Sequence, residues 1–96
     1  MFIVSLNYVS ALDQVDALLE GHIEFLNRQY EKKIFIASGR KVPRTGGVIF
    51  ARAKNKEALN TILEQDPFYK KGVAEYEVTE FVPTMTLPEF ANLNES

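Results

Sequence analysis

Apolar residues recur along the chain with two periods, and these periods predict where strands and helices lie. Residues 2–9 and 34–38 are apolar and rich in β-branched or aromatic side chains, which favours strands. Between them, apolar side chains recur at helical spacing at Leu12, Val15, Leu18, Leu19, Ile23, Leu26 and Tyr30. This spacing predicts a long helix that begins at a cap, Ser10 or Asp13, and ends at about Lys33.

The second half of the chain again has a strand, a helix and a strand, in shorter segments. The stretch GRKVPRTGG, residues 39–47, has the glycines and proline of a hairpin loop, and residues 48–53 are the returning strand. Asn55 is a good N-cap for a second helix, which ends at Asp66-Pro67 because the residue before proline avoids the helical conformation. Residues 73–82 are the last predicted strand. The sequence thus predicts one domain over residues 1–83 and a C-terminal tail over residues 84–96.

The predicted order, βαββαβ, is that of a ferredoxin-like α+β fold. Right-handed crossovers place both helices on one face of an antiparallel sheet. The strands carry apolar side chains in both registers, such as Val4 beside Ile3 and Ile49 beside Phe50, so the face without helices is apolar too. Monomers rarely expose such a patch. We therefore predict a homodimer or a higher homo-oligomer in which a second copy covers this face.

Composition and charge narrow the classes of function. Lys and Arg number 11 against 13 Asp and Glu, for a net charge of −2, so the basic surplus that nucleic-acid binding needs is absent. Without cysteine the chain has no disulfide, thiolate metal site or cysteine nucleophile. The apolar runs have strand length, which predicts no membrane span. The first nine residues lack the features of a signal peptide, so a cytoplasmic location is the default expectation.

The stretch LLEGHIEFL, residues 18–26, contains the only histidine of the chain. His22 is four residues from both Leu18 and Leu26, inside the apolar stripe and near its edge. A half-buried imidazole with one backbone or carboxylate partner would account for it without a function. However, Gly21 costs about 1 kcal/mol relative to alanine inside a helix. That cost indicates that another backbone or a ligand approaches closely at this point.

Asp66 ends the second predicted helix, where the helix dipole disfavours an anion. With Pro67 it has the pattern of an N-cap followed by proline at the first position of a new short turn, and this alone explains the motif. Because both helices share one face of the sheet, the carboxylate can also reach an imidazole on the first helix. A carboxylate beside an imidazole fixes its tautomer and stabilises its charged form, so the pair would be a tuned acid or base.

Five short motifs, taken in order, resemble the YciI-like (YCII-related) family of small bacterial proteins. They are His-x-x-Phe-Leu at 22–26, Ser-Gly at 38–39, Gly-Gly at 46–47, Asp-Pro-Phe at 66–68 and Gly-Val at 72–73. The resemblance runs from residue 1 to about residue 83. It implies a ferredoxin-like fold of the dimeric α/β-barrel type, with a cleft that holds a histidine and an aspartate. His22 and Asp66 match these two residues, and Ser38 would be their hydroxyl neighbour.

Arg40 departs from the family pattern, which usually has proline after Ser-Gly. A guanidinium at the mouth of the cleft would favour an anionic ligand, because arginine can hold a carboxylate through two hydrogen bonds. The alternative is that Arg40 is a solvated hairpin residue. The predicted substrate-binding residues are Ser38, Gly39, Arg40 and Phe68, with the Phe68 ring as an apolar wall.

The chain has one histidine, no cysteine and no acidic cluster at the spacing of metal ligands. We therefore predict that it has no metal site and no cofactor. Relatives of this fold with known activity include enzymes that act on small oxygenated rings by proton transfer, so the resemblance implies a lyase or isomerase with a small-molecule ligand. His22 would exchange a proton beside a carbonyl, and Asp66 would hold the imidazole. The alternative is a non-catalytic dimeric module that binds a small molecule. A third possibility is that the tail, with Leu87, Phe90 and Leu93, binds a partner.

Overall fold

The computed structural model describes residues 1–95. In chain order its helices and strands are β1 (Phe2–Tyr8), α1 (Leu12–Ala17), α2 (Leu19–Glu31), β2 (Phe35–Arg40), β3 (Gly46–Ala51), α3 (Lys56–Leu63), α4 (Pro67–Lys70) and β4 (Ala74–Glu80). A 3₁₀ segment (Pro88–Glu95) follows. All four predicted strands are present, and helices occupy the two predicted crossovers.

The four strands form one antiparallel sheet in the order β2-β3-β1-β4. The connection from β1 to β2 passes over β3, and the connection from β3 to β4 passes over β1. This order is that of the ferredoxin-like fold, so the predicted α+β class is confirmed. It is the subunit architecture of the dimeric α/β-barrel type. The pairing of two subunits stays a prediction.

The alternation of side chains along β1 separates the two faces of the sheet. Phe2, Val4 and Leu6 are buried, and the residues between them are more exposed. The helices and the other strands complete the core around them with Val15, Phe25, Phe35, Ile49, Ala51, Leu59, Leu63, Phe68, Val73 and Ala74. Each fully buried large apolar side chain stabilises the fold by about 1.5–3 kcal/mol, so this single layer holds the helices on the sheet.

The opposite face of the sheet is partly apolar, as the strand pattern predicts. Phe50 is 42% exposed, and its cross-strand neighbour Ile3 is half-buried. The next pair on this face joins Val48 to Ser5, and β4 adds the exposed Glu77. The apolar part of this face thus lies over β3, and the predicted homodimer would cover it.

The long helix predicted over residues 12–33 is in fact two helices that meet at Leu18. The Leu18 backbone has φ −104° and ψ −1°, and its N–H bonds to the carbonyl of Val15, three residues back. Because apolar residues continue on both sides of this tight turn, the hydrophobic spacing gave no sign of it. The predicted caps were also wrong: the N-cap is Ala11, which makes no side-chain bond, and the Asp13 carboxylate accepts the N–H of Gln14.

A bulge in β2 brings the predicted Ser-Gly motif to the helix-covered side of the sheet. β2 was predicted over residues 34–38 and β3 over 48–53, but both pair over different bounds, with a register shift between Phe35 and Ala37. Beyond the shift, Ser38 lies opposite the buried Ile49. An extra residue on one strand changes which side chains face the core. This bulge therefore places the end of β2 beside α2.

Gly46 is required by the close approach of β1, and its replacement tests the sheet directly. A Cβ there would lie 1.7 Å from the backbone oxygen of Leu6. We expect Gly46→Ala to lower the free energy of unfolding by more than about 2 kcal/mol, because the β1–β3 pairing must separate. Gly39→Ala is the matched control, since a Cβ there meets nothing within 4 Å. Equal urea midpoints for the two variants would contradict the observed register.

No helix within residues 1–95 is long and apolar enough to cross a membrane. The predicted boundary between a domain and a tail, after residue 83, stays a prediction. Several large side chains beyond that boundary are exposed, among them Met85 (90%) and Leu87 (62%).

Candidate functional site

His22 lies in the first half of α2, and its ring stacks on the aromatic ring of Phe68. The Phe68 ring of α4 stacks on it with centroids 3.9 Å apart and planes 6° apart. Phe25, one turn further along α2, lies 6.5 Å away on centroids. The His22 side chain keeps 12% of its exposure. The imidazole is therefore fixed in orientation, yet a small part of it still reaches solvent.

The carboxylate of Asp66 holds one nitrogen of this ring. His22 Nδ1 lies 2.8 Å from Asp66 Oδ1, which also accepts the Phe68 backbone N–H at 3.0 Å. The Tyr76 hydroxyl donates to the other oxygen, Oδ2, at 2.5 Å. Asp66 is fully buried, so its charge is balanced by these three donors. Asp66 thus caps α4, as its pattern with Pro67 indicates, and also binds the histidine.

The geometry fixes the tautomer of the neutral imidazole. A carboxylate can only accept hydrogen bonds, so the proton between His22 and Asp66 belongs to Nδ1. The other nitrogen, Nε2, then has a free lone pair, and it can take up a proton and later return it. A buried carboxylate also stabilises the imidazolium that forms. The pair has the arrangement of a general base with its orienting group.

Gly21 is explained by the same contact between α2 and α4. A Cβ at Gly21 would lie 3.1 Å from Cγ of Pro67. The close approach that the sequence indicates is therefore made by the Pro67 side chain, and the predicted backbone or ligand was wrong. The absence of a side chain at Gly21 lets α4 come near enough for Asp66 to reach His22.

A cavity of about 510 Å³ opens beside His22, and we call it the His22 cavity. Its walls come from β1, both helices of the first crossover, the β2–β3 hairpin and α4. They are Leu6, Tyr8, Asp16, Leu19, His22, Ile23, Leu26, Ser38, Gly39, Arg40, Arg44, Gly46, Gly47, Val48, Ile49 and Phe68. The cavity is large enough for a small ring compound and is mainly apolar with a few polar groups, which is typical of small-molecule sites.

The structure brings five of the six predicted site residues to the His22 cavity. His22, Ser38, Gly39, Arg40 and Phe68 all line it. The sixth residue, Asp66, is fully buried behind the imidazole and does not line the cavity. Their positions follow from the β2 bulge and the α2–α4 contact.

Ser38 faces the cavity with its hydroxyl already engaged on one side. Its Oγ lies 2.5 Å from the Tyr30 hydroxyl of α2, and either group can be the donor. A hydroxyl has one hydrogen and two lone pairs, so Ser38 keeps capacity for a ligand. Arg40 is exposed at the same end of β2, and it takes part in neither of the ion pairs found in the described part of the chain.

An ion pair that the sequence did not reveal closes one side of the cavity. Arg44 of the hairpin donates to Asp16 of α1 at 2.5 Å, and both side chains are partly exposed. The hydrogen bond from Arg44 holds the pKa of Asp16 below its ordinary value. The two residues are 28 apart in sequence, so only the folded hairpin brings them together. Two tyrosines were missed as well: Tyr8 lines the cavity, and Tyr30 bonds to Ser38 without lining it.

Among residues 1–95 there is no group of three or more His, Cys, Asp or Glu side chains that could hold a metal ion.

The chain is similar to known proteins in both sequence and structure. The model of the YCII-related domain family matches residues 1–82. No curated protein matches the sequence. The solved structure of 5-chloro-2-hydroxyhydroquinone dehydrochlorinase from Burkholderia phenoliruptrix, in complex with 2,5-dihydroxybenzoquinone, is similar with a TM-score of 0.71. The identity is 17%, and the match covers 84% of this chain and 93% of that chain. At that identity the likeness shows a shared fold.

Proposed function

Since this chain belongs to the YCII-related domain family, we propose that it is a small cofactor-free enzyme of the lyase or isomerase type. In this proposal His22 is the general acid and base, and Asp66 orients its ring. The substrate is a small oxygenated ring compound, and an anionic group on it would be favoured. The similar solved structure supports this class, because that protein is a dehydrochlorinase of a hydroxyhydroquinone and holds a dihydroxybenzoquinone.

The observation that carries the proposal is the His22–Asp66 pair, whose imidazole lines the His22 cavity while its carboxylate is buried behind the ring. The 2.8 Å contact leaves Nε2 as the free base of an imidazole that itself lines the cavity. An acid–base role needs a fixed tautomer, a stabilised imidazolium and access to a ligand. A histidine whose role is only to pack in the core does not require a cavity beside it.

The proposed step is proton transfer beside a carbonyl. His22 Nε2 takes the proton from the carbon, and the C–H electron pair becomes the enolate. The Ser38 hydroxyl donates to the enolate oxygen. In an isomerase, the imidazolium returns the proton at a second carbon. In a lyase, the electron pair expels a leaving group such as chloride, and the imidazolium later releases its proton to water. Phe68 stacks on the imidazole and keeps its plane fixed during both halves of the step.

The charged side chains around the cavity favour a substrate with an anionic group. Arg40 and Arg44 line it with Asp16, which leaves one more positive than negative charge when His22 is neutral. Arg44 is already paired with Asp16, so Arg40 is the guanidinium that a carboxylate or phenolate on the ring can bind.

We also propose that the functional unit is a homodimer, with the apolar face that carries Phe50 and Val48 covered by a second copy. The exposed fraction of Phe50, 42%, supports this assembly. A mass measurement by light scattering tests it.

Turnover of a panel of small ring compounds tests the proposed class of enzyme. We would include 5-chloro-2-hydroxyhydroquinone and follow chloride release, proton release and ring absorbance. The proposal predicts catalysis of proton transfer or elimination on at least one compound without added metal or cofactor. Binding of 2,5-dihydroxybenzoquinone without turnover of any compound would instead support a non-catalytic binding module.

Replacing Arg40 with glutamine is expected to weaken binding of an anionic ring by about tenfold, because one charge-assisted contact is lost. The probes are 2,5-dihydroxybenzoate and its uncharged counterpart, hydroquinone, measured by calorimetry. The matched control is Arg28→Gln, an exposed arginine of α2 that does not line the cavity. If Arg40→Gln weakens both probes equally, or neither, then Arg40 is a solvated hairpin residue.

A further inference from the structure

We propose that Tyr76 is a positioning residue of this site, which through its hydroxyl holds the Asp66 carboxylate in the orientation that binds His22 Nδ1. The inference rests on the proposed acid–base function and deepens it, since neither the motifs nor the comparisons assign Tyr76 a role. Tyr76 does not line the His22 cavity, so it acts through Asp66 and not on the substrate.

The donors around Asp66 come from three different elements. Oδ1 receives His22 Nδ1 from α2 and the Phe68 N–H from α4, at 2.8 and 3.0 Å. Oδ2 receives the Tyr76 hydroxyl from β4 at 2.5 Å, and this is its one partner in the described chain. Asp66 is 0% exposed, so without Tyr76 the Oδ2 oxygen would be buried and unsatisfied. The carboxylate would then rotate or bind a water molecule, and Oδ1 would no longer be in position to accept the hydrogen bond from His22 Nδ1.

The strand register fixes the position of Tyr76. It lies opposite Leu6 of β1, and both side chains point to the helix-covered side of the sheet. Its ring packs edge-on against Tyr69 of α4, with centroids 5.5 Å apart. Burial, together with the charge of Asp66, raises the pKa of the Tyr76 phenol. The hydroxyl therefore remains protonated, and it stays a donor to the carboxylate.

The hydrogen bond to Oδ2 has a consequence for the imidazole as well. A donor to a carboxylate favours its charged form and disperses part of its negative charge. When His22 takes a proton from substrate, the Tyr76 bond opposes transfer of the Nδ1 proton to Asp66. It thereby keeps the positive charge on the ring, and a charged ring gives up its Nε2 proton more readily than a neutral one. This role predicts an effect on the chemical step and little effect on substrate binding.

The test compares Tyr76→Phe with Tyr69→Phe. Both variants remove one hydroxyl from tyrosines whose rings touch each other, but only Tyr76 bonds Asp66. By NMR, we expect Tyr76→Phe to shift the ¹⁵N resonances of the His22 ring and its Nδ1 proton, and Tyr69→Phe to leave them in place. For a compound that is turned over, kcat should fall roughly 10- to 100-fold in Tyr76→Phe, the range for loss of one hydrogen bond to a charged group, with KM unchanged.

The NMR comparison needs no substrate, so it stands even if no compound is turned over and the proposed enzyme class fails. Unchanged His22 resonances in folded Tyr76→Phe would overturn the proposal, and so would a change in KM with kcat preserved. If Tyr76→Phe does not fold, the Tyr76 hydroxyl proton of the wild-type protein is measured instead, because a hydrogen bond to the buried Asp66 carboxylate predicts a downfield resonance that exchanges slowly with water. A hydroxyl proton that exchanges rapidly would also overturn the proposal.

Discussion

Replacing His22 with asparagine is expected to lower turnover by about 10²- to 10⁴-fold, the usual contribution of a general acid or base. The asparagine amide can still donate to Asp66 from nearly the position of Nδ1, so the buried carboxylate keeps its partner. What the variant loses is Nε2, the only group of the pair that can exchange a proton with a ligand. The measurement is kcat/KM on any compound that wild type converts.

Glu24→Gln is the control for this variant, because Glu24 is exposed two residues further along α2 and is not part of the cavity. It should keep wild-type turnover. Thermal unfolding of His22→Asn should remain cooperative. If His22→Asn retains turnover with its fold intact, then another group carries the chemistry, and the imidazole only completes the core.

Replacing Asp66 with alanine is expected to lower the free energy of unfolding by about 3–5 kcal/mol, because three donors lose their charged acceptor at a cost of about 1–3 kcal/mol each. The substitution leaves His22 Nδ1, the Phe68 N–H and the Tyr76 hydroxyl without their acceptor. For a domain of this size the loss is a large share of the total stability of about 5–15 kcal/mol. Urea unfolding measures it.

Asn55→Ala provides a matched comparison, because Asn55 is the N-cap of α3, as Asp66 is of α4. Its side chain accepts the Ala58 N–H at 2.8 Å, and it is exposed, so its loss should cost only about 1 kcal/mol. The difference between the two variants then measures the buried hydrogen bonds that Asp66 makes beyond capping. Equal losses would mean that Asp66 is a helix cap and that its contact with His22 contributes nothing to the fold.

Local signals in the sequence were sufficient to predict the order of the helices and strands and the residues at which some of them begin or end. The apolar run of β1 and the Asn55 cap are both signals within a few residues, so the pattern identified them correctly. The break at Leu18 is a local change of backbone geometry, and the bulge after Phe35 is a shift in strand pairing. Neither changes the apolar character of the chain nearby, and neither could be predicted from spacing.

The candidate site shows the same division between local and long-range causes. The pairing of His22 with Asp66 could be anticipated because the fold places both crossovers on one face of the sheet. The Asp16–Arg44 pair depends on how far the hairpin reaches toward α1, for which the sequence has no signal. For Tyr76 the sequence does contain a signal. Every second residue of β4 faces the helices, and this alternation puts Tyr76 on the side of Asp66.

The central claim is that His22 presents a free Nε2 to a small-molecule ligand while Asp66 holds Nδ1. The most direct test is ¹⁵N NMR of the single histidine, recorded for the neutral imidazole with and without 2,5-dihydroxybenzoquinone. We predict that the proton is on Nδ1, that the Nε2 resonance shifts on addition of the ligand, and that Asp66→Ala abolishes the Nδ1 preference. A proton on Nε2, together with resonances that no ring compound shifts, would contradict the claim and leave His22 as a structural side chain.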